Sequence, residues 1–555
     1  MDKKIQIAAF ILASSVIINK NSMGAIPEHS GTNPSNSTIT IDGETGVVSG
    51  TSTKLDFISK IYGGKSETEE TNNNRIEATK MGKFFGTLYG GYTEGNLKSA
   101  NENIINYTGN GTDESSIAKN IIGGKSKKGE ANNNEIHISG VKKIYSGDFV
   151  EKSYIHGGIA GEPENATSPE ELKKARAMEN IIEITGVESG TSIGVDIKGG
   201  KSIYSGASEN KIILTNISEI TKNKNFPTEI IAAEGINTIT KNKVEITSIE
   251  SGATLKSNIL GATGAKGTIF ENNIKLDKIK EIESSYIIGA QATGVPSMGG
   301  IQIASSVSGN KVEITGIESG AVLSTEITGG LVQQGHANNN QVDLMNIKEI
   351  NQDIYGGRDK EQEGSIIINS IRGAATQPTA PITVPIINGE TGDAVTSQNN
   401  VLIVGVFDGA TLSANVYGGH IEKDSVRGGN IYAEENIVTL FNIRSNENIE
   451  TNVYGGFARS NSEDKVNINN NQVVVAGDTD LSNTNLYGGI AYNLLVPGTA
   501  GETVLKDNFE GNILHIGIEE APWNNTSGKN NVKSLGGFQT IQFNALHWEI
   551  GRAHV

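Results

Sequence analysis

Asn310-Lys311-Val312-Glu313-Ile314-Thr315-Gly316-Ile317-Glu318-Ser319-Gly320-Ala321-Val322-Leu323-Ser324-Thr325-Glu326-Ile327-Thr328-Gly329-Gly330 is the stretch that decides the architecture. It opens on an asparagine. In Val312-Glu313-Ile314-Thr315 every second residue is apolar, the period of a strand with one buried face. Glu318-Ser319-Gly320 reads as a turn. A second alternating run, Ala321 to Ile327, leads into the doublet Gly329-Gly330.

The same cycle returns about a dozen times along the chain. Full Tyr-Gly-Gly copies stand at Tyr62-Gly63-Gly64, Tyr89-Gly90-Gly91, Tyr355-Gly356-Gly357, Tyr417-Gly418-Gly419, Tyr454-Gly455-Gly456 and Tyr487-Gly488-Gly489. The glycines alone recur at Gly123-Gly124, Gly157-Gly158 and Gly199-Gly200. Worn copies are Ile231-Ala232-Ala233, Gly261-Ala262 and Gly289-Ala290. Asn followed by x-[Ile/Val] opens a strand at Asn74, Asn134, Asn210, Asn242, Asn310, Asn340 and Asn471. The Ser-Gly turn recurs at Ser189-Gly190 and Ser251-Gly252.

A unit of this kind buries its apolar face only against the next unit, so the repeat sets the fold. The expectation is an all-β chain: a right-handed parallel β-helix (β-solenoid) with loop insertions. Stacked side-chain amides run along one corner. Glycines at another corner supply backbone angles that a Cβ would forbid. A rung of roughly 20–25 residues would give a bit over twenty rungs and a rod on the order of 100 Å. Whether one cycle is one rung with a loop, or about one and a half rungs, is open at this stage.

Irregular spacing between doublets places insertions at one corner. In one of them Ser168-Pro169-Glu170-Glu171 has the chemistry of a helix start, which predicts a short helix over Glu170 to Met178. A longer departure over 358 to 398 carries Pro378, Pro381 and Pro385 and hides one degenerate cycle.

The chain has 555 residues with 68 Gly, 11 Pro, no Cys and a net charge of −17. Little of it can fill a wide core. Dispersed acidity without a basic tract argues against nucleic acid as a partner. Lys3 and Lys4, the apolar run Ile5 to Ile18 and the small residues up to Gly24-Ala25 read as a secretory signal peptide over 1–25. The absence of cysteine suits a chain that crosses a membrane unfolded.

The Asn-x-[Ile/Val]-x-[Ile/Leu] strands, the Ser-Gly turn and the Tyr-Gly-Gly corner resemble the passenger domains of type V autotransporters of Gram-negative bacteria. The resemblance covers about residues 40 to 548. Gly511-Asn512-Ile513-Leu514-His515-Ile516-Gly517 and Val532-Lys533-Ser534-Leu535-Gly536-Gly537-Phe538-Gln539-Thr540-Ile541-Gln542-Phe543 look like the last rungs before an outer-membrane β-barrel. The resemblance implies passenger repeats over 26–511 and last rungs over 512–548. It also implies a C-terminal barrel in the full-length protein, which this sequence does not contain. The tail Glu549-Ile550-Gly551-Arg552-Ala553-His554-Val555 looks like a translated sequencing adapter, so 549–555 is read as an artefact following Trp548.

No residue is assigned a catalytic, cofactor-binding or metal-binding role. Gly190-Thr191-Ser192-Ile193-Gly194 matches G-x-S-x-G, but it falls between two strands, where the motif needs a strand-to-helix turn. Gly64-Lys65-Ser66, Gly124-Lys125-Ser126 and Gly200-Lys201-Ser202 end like a phosphate-binding loop, but Ser59, Lys119 and Val195 stand where its first glycine is required. The 8 His are scattered, and His156, in the place of a doublet tyrosine, is read as corner filling. The doublet tyrosines either form an exposed ladder for glycans or cover the glycine corner, and the second reading is favoured.

The functional expectation is an exported protein at the outer-membrane surface or in the extracellular space. It would be a non-catalytic adhesin or stalk that contacts host or microbial surface molecules, glycans among them, by multivalent loops. The alternative is a carbohydrate-active β-helix enzyme (a polysaccharide lyase or hydrolase). That reading requires two or three carboxylates, or Lys and Arg, converging in a groove on adjacent rungs.

Overall fold

A computed structural model describes residues 28–543 apart from 32, 46, 49–59, 113–114, 118, 146–152, 162–173, 222–227, 266, 294–304, 333–334, 352–369, 377–393, 424–429, 461–465, 494–502, 505–508 and 518–530. The described residues form a parallel β-helix. A 16-stranded and a 24-stranded sheet run its length, and a 7-stranded sheet covers part of a third side. Nearly every pairing is parallel. Exceptions are Ile41–Val48, which folds the N-terminal strand back on itself, and Tyr492–Val504.

One coil shows how sequence becomes path. Ser257–Gly264 lies in the first sheet and Thr268–Phe270 in the third. Glu271 turns the chain at φ 57°, and Asn272 follows inside the turn. Asn273–Ile282 then crosses the second sheet, bending at Lys278 with φ 56°. Tyr286–Ala292 rejoins the first sheet one strand further along. One sequence cycle is therefore one coil. The parallel path of the first sheet, from Glu28–Ser30 to Val532–Gly536, passes through fifteen strands. At about 4.8 Å per strand that is a height of roughly 70 Å, shorter than the sequence estimate because the coils are longer and fewer.

The core is a set of apolar columns. Ile61, Leu88, Ile121, Ile155, Ile197, Ile230, Ile259, Ile287 and Ile327 stand one above another, each fully buried. Burying each such side chain stabilises the stack by about 1.5–3 kcal/mol. β-Branched residues dominate because they suit a pleated surface packed on both sides by like neighbours.

An unbroken asparagine ladder runs beside this core. It comprises Asn74, Asn103, Asn134, Asn180, Asn210, Asn242, Asn272, Asn310, Asn340, Asn399, Asn436, Asn471 and Asn512, none more than 1% exposed. Each Nδ2 from Asn74 to Asn471 donates to the Oδ1 of the next asparagine at 2.8–3.2 Å. The same Oδ1 accepts the preceding asparagine's backbone N–H, as in Asn210 N to Asn242 Oδ1 at 2.9 Å. Ser37 begins the column by donating its N–H to Asn74 Oδ1, and Gln539 ends it by accepting the Asn512 N–H. A buried amide is costly unless paired, and here the partners come from the repeat itself.

Two features of this corner correct the sequence reading. The positive backbone angle belongs to the residue before each asparagine, not to the glycine doublet. Asn36, Asn73, Glu102, Asn133, Glu179, Glu209, Lys241, Glu271, Gly309, Asn339, Gln398, Glu435, Asn470 and Gly511 all adopt it, with φ between 52° and 69°. The doublets instead lie within strands, such as Lys60–Ser66, and serve close approach. A Cβ on Gly64 would sit 2.5 Å from Asn74 Nδ2, and one on Gly63 would sit 2.3 Å from the Gly90 carbonyl oxygen.

The worn doublets have a packing reason. Ala233, Ala262 and Ala290 lie in a second small core with Ile239, Ile269, Val307 and Ala337, beneath the third sheet. There a methyl group fills space instead of colliding. In those coils the asparagine Nδ2 gains a bond to the carbonyl two residues back, as in Asn242 to Thr240 O at 3.0 Å.

From Gly190 to Asn442 the opposite corner alternates. Coils with a glycine turn, at Gly190, Gly252, Gly320 and Gly409, alternate with coils that turn on one left-handed residue, at Asn216, Lys278, Asn346 and Asn442. The longer turns reach across the short coil between them. A Cβ on Gly252 would meet both Lys280 of the next coil and Ile317 of the coil after it.

The long departure contains one first-sheet strand, Ser370–Thr376, so its doublet position is Gly373-Ala374. Asn340 and Asn399 are consecutive in the ladder, so one coil spans the region and the degenerate cycle is present. Tyr355-Gly356-Gly357 falls outside the described residues, as do residues 1–25, expected to be a signal peptide, Trp548 and residues 549–555. Of the helix expected over Glu170–Met178, residues 170–173 lie outside the described residues, and Lys174 is helical. Residues 175–178 are not helical, Ala175 and Ala177 are buried, and the Arg176 carbonyl accepts the Ala131 N–H.

Candidate binding surface

Alternation along each first-sheet strand points one residue inward, and the residue after it toward the outside of the coil. Two outward columns flank the doublets. Through the first half of the rod the one before the glycines reads Tyr62, Tyr89, Ile122, His156, Lys198, Ile231 and Leu260. The one after them reads Lys65, Tyr92, Lys125, Ile159, Lys201, Glu234 and Thr263.

The tyrosines form stacks rather than an open platform. Tyr62 and Tyr89 have centroids 4.7 Å apart and near-parallel rings, and Lys65 Nζ lies 4.9 Å above the Tyr62 ring. Near the other end Tyr417, Tyr454 and Tyr487 stack at 4.9 and 5.1 Å, with Phe457 edge-on against the first two. Tyr62, Tyr417 and Tyr454 are buried. This agrees with the covering role. A pyranose would find edges here, not faces.

Polar chemistry gathers between the two aromatic zones. His156, expected at a corner, sits mid-strand with its ring stacked on Tyr154 at 4.4 Å. It is buried, and its Nδ1 has no hydrogen-bond partner. Burial, then the ammonium groups of Lys198, Lys201 and Lys125, push its pKa well down, so the imidazole is neutral. On the next coil Lys198 and Lys201 both pair with Glu234 of the coil beyond, Lys201 at 3.1 Å. Burial alone would raise the Glu234 pKa, but the two lysines outweigh it and hold the carboxyl below its ordinary value. The register sets these groups on a grid. His156 adjoins Lys198, Ile159 adjoins Lys201, and Lys201 adjoins Glu234.

The motif residues weighed from the sequence lie elsewhere or serve the scaffold. Ser192 is in a strand paired with Lys143 and Glu219, with the Gly190 turn before it. Lys65, Lys125 and Lys201 are strand residues, with no phosphate-type loop around them. The serines that follow Lys125 and Lys201 point inward and hold neighbouring coils, Ser126 Oγ donating to Lys98 O at 2.6 Å. Among the described residues no group of three or more His, Cys, Asp or Glu is placed to hold a metal ion. Among them no helix is long and apolar enough to cross a membrane.

Sequence reasoning weighed His156 alone and missed Lys198, Lys201 and Glu234 as its neighbours. The signal was available: these residues occupy the positions on either side of the doublet in successive cycles. Comparison with protein-family models, curated proteins and solved structures found no match.

Proposed function

We propose that the chain is the surface-displayed passenger of an autotransporter and acts, without catalysis, as an adhesin or structural stalk. The observation that supports this most is the ladder across the insertions. Asn134 bonds to Asn180 at 2.9 Å and Asn340 to Asn399 at 3.2 Å, so the ladder stays unbroken across the longest spacings. A continuous stiff stack with additional chain emerging at chosen coils is suited to presenting segments at fixed spacing, where weak contacts add to useful avidity. The sequence resemblance and the signal-peptide chemistry of residues 1–25 supply the route of export. The test is to express the gene from its chromosomal locus in a Gram-negative host and probe intact cells with antibody and protease. Surface accessibility, with removal of residues 1–25, is expected. Retention in the cytoplasm with residues 1–25 attached would overturn the reading.

A second reading, a carbohydrate-active enzyme, is favoured by one observation: His156, Lys198, Lys201 and Glu234 converge on three adjacent coils. Release of reducing or unsaturated ends from acidic polysaccharides by the purified chain, abolished in His156→Ala, would replace the first reading with this one.

A further inference from the structure

Four second-sheet strands on consecutive coils, Asn400–Gly405, Ile437–Phe441, Gln472–Ala476 and Ile513–Ile516, contain no Asp, Glu, Lys or Arg. The strands that follow the ladder in the five coils before them, from Lys211–Ile220 to Gln341–Ile350, each carry both signs of charge. The change falls on the outward positions, because the inward ones are aliphatic throughout. Glu245, Lys275, Glu313 and Asp343 give way in register to Leu402, Thr439 and Val474. Two residues further along the strands, Thr215, Thr247 and Thr315 give way to Met345, Val404 and Phe441. The earlier coils fold with charge and hydroxyl at these positions, so the scaffold itself does not demand apolar residues there. Leu402, Val404, Ile437 and Val474 are partly exposed. Met345 is 38% exposed, and Phe407, in the turn after Val404, is 92% exposed.

We infer that this face is the contact between two copies of the chain, related by a two-fold axis. Charge favours a second copy there. Two molecules of net charge −17 repel each other, and on these four strands they meet without bringing formal charges together. Shape favours it too. Outward side chains stand about 4.8 Å apart across the strands and about 6.8 Å apart along them, and the same face of a second copy repeats that spacing, so the two sheets can interdigitate about 10 Å apart. Area sets the strength. Four strands of about five residues give a footprint of roughly 300 Å². Apolar surface of a few hundred Å² marks a contact site, whereas a stable complex buries about 800 Å² on each partner. The apolar strands thus form the centre, and the polar coils beside them supply the rim. Such a dimer is weak, with a dissociation constant above about 1 µM. A two-fold contact uses the patch on both copies, so association stops at two. The contact does not depend on how the chain is exported.

The test is sedimentation equilibrium of the purified full chain over a range from about 1 to 500 µM, at low and high sodium chloride. A monomer–dimer equilibrium that tightens with salt is expected, because salt screens the repulsion between like-charged copies and leaves the apolar contact in place. Leu402→Glu should weaken it about tenfold or more by setting a charge in the apolar centre. The substitution is compatible with folding, since Asp343 holds the register position one coil back. Leu402→Thr, which copies the neighbouring Thr439, should weaken it less. Thr247→Glu, on the charged stretch of the same face, should leave it unchanged, and thermal melts establish that all three variants fold. A monomer at every concentration, a dimer that salt dissociates, or a dimer indifferent to Leu402→Glu overturns the inference. So does a monomer that instead partitions onto phosphatidylcholine vesicles through Phe407, which would make a lipid surface the occupant.

Discussion

Gly200 lies against Asn210 so closely that a Cβ on the glycine would come within 2.5 Å of the asparagine Oδ1 and 2.6 Å of the Ala177 carbonyl oxygen. Neither atom can retreat, since Asn210 is locked in the ladder from both sides. Gly200→Ala is therefore expected to cost about 1–3 kcal/mol by overpacking. One coil along, Ala233 occupies the matching position but fills the second core. Ala233→Gly should also destabilise, by about 1 kcal/mol, from lost packing and added chain entropy. Urea midpoints of the two variants check this, and a neutral Gly200→Ala would contradict the close-approach account.

Asn242 accepts two bonds from Asn210 through a single oxygen, from the side-chain amide at 3.0 Å and from the backbone N–H at 2.9 Å. Asn242→Ala leaves both donors buried without an acceptor. At about 1–3 kcal/mol for each orphaned group, the loss should be at least about 2 kcal/mol. Hydrogen exchange should localise the opening to the coils on either side, because each coil depends chiefly on its neighbours. Exchange accelerated uniformly along the rod would argue against a local ladder.

Glu209 is exposed and holds φ 57°, an angle that a side chain longer than asparagine tolerates poorly. Asn73, Asn133, Asn339 and Asn470 occupy the same place in other coils. Glu209→Asn is expected to stabilise by about 0.5–1 kcal/mol, and Glu179→Asn similarly. A lower melting temperature in either variant would count against strain at this position.

Tyr62 should weaken the fold at high pH. Burial first, then the nearby Glu28 and Glu94 carboxylates, push its phenol from 10.0 up to about 12. In the unfolded chain the phenol ionises near its ordinary value, while the folded chain keeps its proton longer. The folded state then binds more protons, so stability is intact below pH 10, falls as pH rises toward 12, and levels off beyond. Phenolate absorbance should show a tyrosine ionising near pH 12 that Tyr62→Phe removes, apart from the buried Tyr107, whose phenol burial pushes higher still. The same variant should lessen the alkaline loss of stability between pH 10 and about 12, leaving the part carried by Tyr107 and Tyr204. An unchanged slope would mean that Tyr62 does not carry it.

The parallel β-helix was legible because its two strongest signals are chemical and periodic. Asn310-Lys311-Val312-Glu313-Ile314 announces both the ladder position and the strand after it. The doublets marked the first sheet equally well, though for the wrong reason: Gly64 avoids the Asn74 side chain and does not need an unusual angle. The residue that does turn the chain was illegible, because Glu102, Glu179, Glu209, Glu271 and Glu435 carry no local preference for that conformation. The fold imposes it from both sides. The third sheet was missed because strands as short as Ile239–Thr240 have no period to read. The cluster around His156 was visible only once successive coils were placed in register, since Lys198 and Glu234 are far from it in sequence.

Asn74 and Asn103 are 29 residues apart, and Asn340 and Asn399 are 59 apart, yet each pair is a single step of the ladder. Chain length and axial rise are thus independent quantities in this molecule. Segments between strands can lengthen while the next asparagine keeps its place in the ladder, so loop length is free to change without altering the scaffold beneath it.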